Sequence, residues 1–421
     1  MTKPRITTLE NGMRVVSEEW SQLETVAVGV WVDMGSRHET EELNGVAHFL
    51  EHMMFKGTGR RTARDIAEDI EAVGGQLNAY TSRDYTTYYA KVMKEDLPLA
   101  VDLLADILQH SQFDPAETRR ERDVILQELG QAIDTPDDII FDYMQETAFQ
   151  NQALGRSILG SEASVSAMTS SKLKDYMSRG YQASRMVLAA VGNLDHDVLV
   201  DMASRAFDCV PKGHGLAITP AHYSGGELRK NKALEQLHLT LAFPGVSLVD
   251  PDYYAMQTFS TMLGGGMSSR LFQTVREERG LAYSVYSFSG SHDDSGLLGI
   301  YAGTGAEMGE ELVDVIVHET HDLIKNVSVQ ELERAKIQLK AGMLMALEGT
   351  NARVEQLARH LMVYGEIISV SEIIAKVDAV DIEAVQRVAH SSLSCDDLTM
   401  AYVGPGEQIP NYDVLKGMFK I

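Results

Sequence analysis

MVLAAVGNLDHDVLVDMASRAF, residues 186–207, and LTMAYVGPGEQIPNYDVLKGMF, residues 398–419, share one plan. Each opens with a short apolar run that reads as a strand, turns at Gly192 or Gly404, and continues into an amphipathic helix closing on Phe. A second pair repeats the relation. AEDIEAVGGQLNAYTS (67–82) and QTVREERGLAYSVYS (273–287) each stop a helix at glycine and enter a Tyr-rich strand. Gly192 and Gly404 are 212 positions apart, and Gly75 and Gly280 are 205 apart. Two echoes at nearly one offset mean a duplicated domain of roughly 200 residues and not a short-period solenoid.

Working outward, alternating strands such as TVAVGVWVDMG and LHLTLAFPG stand among long helical patterns. The expected class is α+β: two homologous domains, each a mostly antiparallel sheet with helices packed on it. A chain of 421 residues is longer than one core usually serves. The Pro- and Gly-rich stretch PKGHGLAITPAHYSGGEL (211–228) marks the seam, giving domains 1–212 and 229–421 around a linker at 213–228.

Composition narrows the function classes. With 44% hydrophobic and 23% charged residues the chain reads as ordinary globular protein, and no apolar run approaches a membrane span. MTKPRITTLENGMRVV has neither an apolar signal core nor the Arg/Ser-rich, acid-poor bias of an organelle leader, so a cytoplasmic location is expected. Two cysteines, Cys209 and Cys395, are too few for a disulfide framework and read as buried free thiols. A formal charge of −24 argues against nucleic acid and is compatible with basic ligands.

The chemistry concentrates at HFLEH (48–52). With Asn44 as N-cap and Gly57 as stop, 45–56 reads as a short helix. At about 100° per residue, His48, Glu51 and His52 share one arc, opposite Val46, Phe49, Leu50, Met53 and Met54. A solvated face would give the same pattern, although two histidines in one turn are uncommon there. Histidines at i and i+4 can reach one Zn²⁺, which then needs a third protein ligand. DPAETRRERDVILQELGQAID offers one. Asp114, Pro115 and Glu117 start a helix as a capping box, with Val124, Ile125, Leu129 and Ala132 as its apolar stripe. Glu121 and Glu128, seven apart, fall within that stripe, where a carboxylate is costly unless it is paired or binds metal. Glu128 is the expected third ligand, Glu121 a carboxylate orienting a ligand histidine, and Glu51 the base.

HFLEH with Glu128, 76 residues after His52, resembles the inverted zinc-peptidase motif HxxEH of the insulinase–pitrilysin family, and its processing-peptidase branch most closely. LENGMRVV, VGNLDHD, SRLFQTVREERGLAYSV and AYVGPG extend the resemblance over essentially the whole chain. It implies an endopeptidase with one zinc per chain, cutting extended, basic peptides in a clam-like chamber between the halves. It implies further that Arg276 and Tyr283 contact substrate, where an ion pair of Arg276 with Glu277 or Glu278 is the plain alternative. The strand in GGQLNAYTSRDYTTYY would be an exposed edge holding peptide through Asn78 and Ala79, while Tyr85 and Tyr88 are open to a purely core role. Asp138 and Asp142 match an acidic pair that receives arginine in the processing branch, the first being Asp where that branch usually has Glu. A homodimer, or a heterodimer with an inactive homologue, follows from the same resemblance. A non-catalytic structural subunit and a zinc-stabilised binding protein are the rival readings. HETH (318–321) lacks a third ligand, and LGGGMSSR (263–270) lacks the Lys-Ser/Thr of a phosphate loop.

Overall fold

Alternation along eleven strands builds two sheets among the described residues of the computed structural model, which are 3–213, 218–394 and 396–420. Cys395 lies outside them. The first sheet holds β1 (Arg5–Thr8), β2 (Arg14–Glu19), β3 (Thr25–Val32), β4 (Gln76–Thr81), β5 (Thr86–Met93) and β6 (Met186–Gly192), in the order β1-β2-β6-β3-β5-β4. The second holds β7 (Gly226–Lys230), β8 (Gln236–Pro244), β9 (Ala282–Ser291), β10 (Gly296–Gly305) and β11 (Thr399–Val403), in the order β7-β11-β8-β10-β9. Each sheet has one parallel pair, β2 with β6 and β7 with β11, and is otherwise antiparallel. The order β2-β6-β3-β5-β4 thus recurs strand for strand as β7-β11-β8-β10-β9. The α+β class and the duplication hold.

The two turn glycines explain why the echo is so plain in the sequence. Gly192 has φ 145° and Gly404 φ 122°, the region that favours glycine. A Cβ on Gly192 would meet the Thr25 carbonyl oxygen at 2.3 Å; one on Gly404 would meet that of Gln236 at 2.4 Å. Thr25 and Gln236 are the first residues of β3 and β8, so both copies have the same crowded turn.

The compact units do not follow the chain order throughout. One comprises Met1–Gly130, Arg156–Thr219 and Met345–Ile367; the other comprises Gln131–Gly155, Pro220–Leu344 and Ile368–Ile421. The chain passes between them at Thr219/Pro220, inside the expected linker, but a simple division into 1–212 and 229–421 misses two exchanged segments. The physical reason lies in the sheets, each of which has two apolar faces. In the first, Val26, Val28 and Val30 pack into one core, while Ala27 and Trp31 of the same strand join Val354, Leu357 and Leu361 of the helix Thr350–Val363. In the second, Leu237, Leu239 and Leu241 enter one core, while Ala242, Tyr301 and Ala401 meet Ile139, Ile140 and Met144 of the helix Pro136–Ala148. Each exchanged helix covers a face that would otherwise be bare. Arg353 anchors the first through a buried ion pair with Glu18, 2.6 Å.

Cys209 is exposed, which corrects the expectation of a buried thiol. It follows Phe207, whose side chain takes the buried position at the end of the helix His196–Ala206.

Candidate metal centre

Val46–Met53 is helical, and its inner face is as expected: Val46, Phe49, Leu50, Met53 and Met54 are fully buried. The start differs. Gly45, not Asn44, is the N-cap, with φ 89° and no side chain to offer. The cap comes from Glu39, six residues upstream. Its Oε2 accepts from the Gly45 N–H and its Oε1 from the Ala47 N–H, both at 2.8 Å. Asn44 instead donates to Glu39 Oε2 (3.0 Å) and to the Ser157 carbonyl (2.9 Å). Burial pushes the Glu39 carboxyl up to about 7, against the opposing pull of these donors. Nothing periodic in the sequence pointed to Glu39; the signal was the glycine before the helix, which must be capped from elsewhere.

The helix Pro115–Asp134 starts where expected, with Asp114 Oδ1 accepting from the Ala116 N–H (2.7 Å) and the Glu117 N–H (3.2 Å), but the Glu117 carboxylate accepts from Arg120 and does not close the expected capping box. Its inward line is Thr118, Glu121 and Ile125, continued by half-buried Glu128; Val124 is exposed and off the stripe. Glu128 Oε2 lies 3.5 Å from His52 Nε2 and 3.9 Å from His48 Nε2, and the two imidazole centroids are 4.7 Å apart. Among the described residues these three form a group of metal-ligating side chains, with ligand atoms all within 4.8 Å of one another. Zinc bonds of ~2.0–2.1 Å at tetrahedral angles need ligand atoms about 3.3 Å apart, so a small contraction closes the set around one ion.

The charge state fits as well. Burial, helped by neighbouring His52, pulls His48 down to about 4, so at neutral pH it is the uncharged imidazole that a metal takes. A neutral His48 makes no ion pair with Glu128, and its buried Nδ1 has no hydrogen-bond partner among the described residues. A polar cluster left this incompletely satisfied suits a cation better than it suits a packed core. Glu121, the carboxylate expected to orient a ligand histidine, is buried and lies 2.5 Å from Lys56 Nζ through Oε2. The lysine lies four positions beyond His52, in the turn that follows the first helix.

Glu51 sits on the same helix face, raised above the usual carboxylate range chiefly by burial and eased back by Thr81 and His52. Thr81 Oγ1 donates to Glu51 Oε2 at 2.6 Å. Thr81 ends β4, the edge strand, which among the described residues pairs only with β5. Asn78 is exposed there, and its Oδ1 accepts the Ala79 N–H at 2.8 Å. Beside β4 runs a groove of ≈ 500 Å³ lined by Phe55, Ile66, Ile70, Leu77, Asn78 and Tyr89 among others. Tyr88 is fully buried, with its hydroxyl 2.9 Å from that of Tyr181, and Tyr85 donates to Glu355 (2.9 Å). Both tyrosines therefore have structural partners.

The remaining expected residues belong to the other compact unit. Arg276 lies in a π-helical turn, Phe272–Glu278, with its guanidinium 4.8 Å from the Phe272 ring centroid and 4.4 Å from that of Tyr283. Its Nε is 3.6 Å from Glu277, so the plain ion pair is present but loose. Tyr283 is 76% exposed. Asp138 and Asp142 are four apart on Pro136–Ala148, the first exposed and the second half-buried. Of the HETH pair, His321 Nε2 faces the Phe419 carbonyl at 3.2 Å.

Residues 14–162 match the family model for insulinase (peptidase family M16), and residues 167–339 match the peptidase M16 inactive domain. A probable mitochondrial-processing peptidase subunit beta of Arabidopsis thaliana is 41% identical, over 97% of this chain and 80% of its own. The zinc protease YmxG of Bacillus subtilis is 39% identical over 96% of this chain and 99% of its own. A protease from Helicobacter pylori superposes with a TM-score of 0.90 over 96% of this chain and 99% of its own; at 23% identity this is a likeness of fold.

Proposed function

Because the chain belongs to peptidase family M16, we propose that it is a zinc-dependent endopeptidase whose metal is held by His48, His52 and Glu128, with Glu51 as general base. The observation that carries this reading is the convergence of three ligand atoms on one point, with the Glu51 carboxylate on the same helix face and outside that set. When bound, zinc supplies Lewis acidity at the scissile carbonyl. The rest is work for the chain. Glu51, with a raised pKa, accepts the proton of the attacking water and returns it to the leaving amine. The unpaired edge of β4 aligns an extended peptide by main-chain hydrogen bonds at Asn78 and Ala79, whose N–H must first leave the Asn78 side chain. Arg276, already desolvated against two aromatic rings, and Tyr283 are assigned to substrate contact.

The preference for basic residues is supported by the net charge of −24 and by the Asp138/Asp142 pair. The proposed state is a cytoplasmic homodimer with one zinc per chain. The names of the processing-peptidase relatives, which are subunits, favour a second arrangement with a different partner chain, which the family resemblance would make an inactive homologue. No described helix is long and apolar enough to cross a membrane.

The test is cleavage of matched arginine- and alanine-containing peptides by zinc-loaded wild type and Glu51→Gln, with sedimentation of the purified chain. Wild type should cut the arginine peptide faster, while Glu51→Gln keeps its zinc and loses about 10³-fold in kcat. Zinc without cleavage in wild type would favour a binding protein or the missing partner; neither zinc nor cleavage would favour a structural subunit.

A further inference from the structure

We infer that Thr81 is a positioning residue for Glu51, and that through it the strand receiving the substrate also sets the orientation of the base. The inference rests on the peptidase reading above and extends it to a residue that reading leaves without a role.

Along β4 the side chains alternate, so Leu77, Ala79 and Thr81 face one side and Asn78 and Tyr80 the other. The first side meets the helix Val46–Met53. There Ala79 is buried, and Thr81 reaches Glu51 with a hydroxyl-to-carboxylate bond of 2.6 Å, in the short range of charge-assisted pairs. On the other side Tyr80 donates to Glu355 at 2.7 Å, tying the strand to the exchanged helix Thr350–Val363. A threonine at a strand end commonly bonds its own backbone; this hydroxyl points across to another element. Because the bond occupies Glu51 Oε2, it fixes the rotation of the carboxylate and so the direction its other oxygen faces. A peptide docked on β4 is thereby registered against a base carried by the same strand's hydrogen bond.

The bland alternative is that Thr81 merely ties helix to sheet. The second unit shows such a tie away from the metal-ligating cluster: between its helix Tyr253–Gly264 and edge strand β9, Ser287 Oγ donates to the Ser260 carbonyl at 2.6 Å and accepts from Ser260 Oγ at 3.3 Å. The experiment must therefore separate positioning from stability.

Zinc-loaded wild type, Thr81→Val and Thr81→Ser are assayed for kcat and KM on the arginine-containing peptide, alongside zinc content and thermal midpoint. Thr81→Val, which keeps the branched shape, should lower kcat about ten- to hundredfold while KM stays within about twofold. Zinc content and midpoint should match wild type, and Thr81→Ser should restore kcat. Wild-type kcat in Thr81→Val, or a loss that follows a lowered midpoint, overturns the inference. If zinc-loaded wild type itself cleaves nothing, the reading of the lone chain as a self-sufficient peptidase fails on its own. Crystal structures of wild type and Thr81→Val then decide the Thr81 assignment: a Glu51 carboxylate displaced in the variant upholds it, and an unmoved one overturns it.

Discussion

The two units are built from the same five-strand order, the same parallel pair and the same glycine turn, yet among the described residues only one carries the ingredients of a metal centre. The difference lies in a few side chains on equivalent frames. In the first unit the helix leaning on the edge strand presents His48, Glu51 and His52; in the second the same spacing around Ser260 gives Gln257, Ser260 and Thr261. Where Thr81 donates to the carboxylate of Glu51, Ser287 donates to the backbone carbonyl of Ser260 and accepts a longer bond from its hydroxyl. The long helix that brings Glu121 and Glu128 inward has its counterpart in Val329–Ala346, where buried Lys336 donates to the Asp378 carbonyl at 3.1 Å. The cap differs too: buried Glu39 holds the first helix, whereas Asp252 at the start of the second is engaged by Arg387 at 2.6 Å. The frame tolerates either set, so the fold does not itself specify the chemistry.

Three experiments probe that comparison. The largest contrast is chemical. Glu51→Gln should cost about 10³-fold in kcat, whereas Ser260→Ala, at the corresponding contact, should leave cleavage within about twofold. Equal losses in steady-state kinetics would mean that the units share the chemistry.

A smaller effect is thermodynamic and belongs to the metal-free protein. Burial holds His48 near 4 against an ordinary 6.5, and His38, beside Arg185, is also pulled down to about 4. Between those values the unfolded chain binds the protons that the folded chain refuses. Stability from each histidine is therefore complete above pH 6.5 and is lost as pH falls towards 4. A shift of this size corresponds to about 3 kcal/mol per histidine. Glu39, raised to about 7, works in the opposite sense, its folded form gaining as pH falls from 7. Denaturant unfolding of the chelator-treated protein at pH 7 and 4.5 should show a smaller acid loss in His48→Gln than in wild type; equal losses would remove the buried, neutral His48 from the account. The smallest effect is the stability cost of Ser260→Ala, under about 1 kcal/mol because only the 3.3 Å bond is lost.

Much of this was legible in the sequence because it was local or repeated. Gly192 and Gly404 are needed by the same crowded turn, so the duplication survives as a pattern of residues. The histidine pair and the two glutamates announced themselves by spacing, since helical periodicity shows which side chains share a face. What escaped depended on contacts across the chain. Glu39 caps a helix it does not adjoin, Lys56 pairs with Glu121, and Thr81 finds Glu51 only once β4 lies beside the helix. The exchange of 131–155 and 345–367 was hidden for the same reason: an amphipathic helix records that it covers an apolar face, not which one.

The most direct test of the central claim is anomalous diffraction at the zinc edge from crystals of the zinc-loaded protein. The account predicts one strong peak per chain, ~2.0–2.2 Å from His48 Nε2, His52 Nε2 and a Glu128 oxygen, with Glu51 outside the coordination shell and no peak in the second unit. A peak ligated by other residues, or none at this cluster, would contradict it.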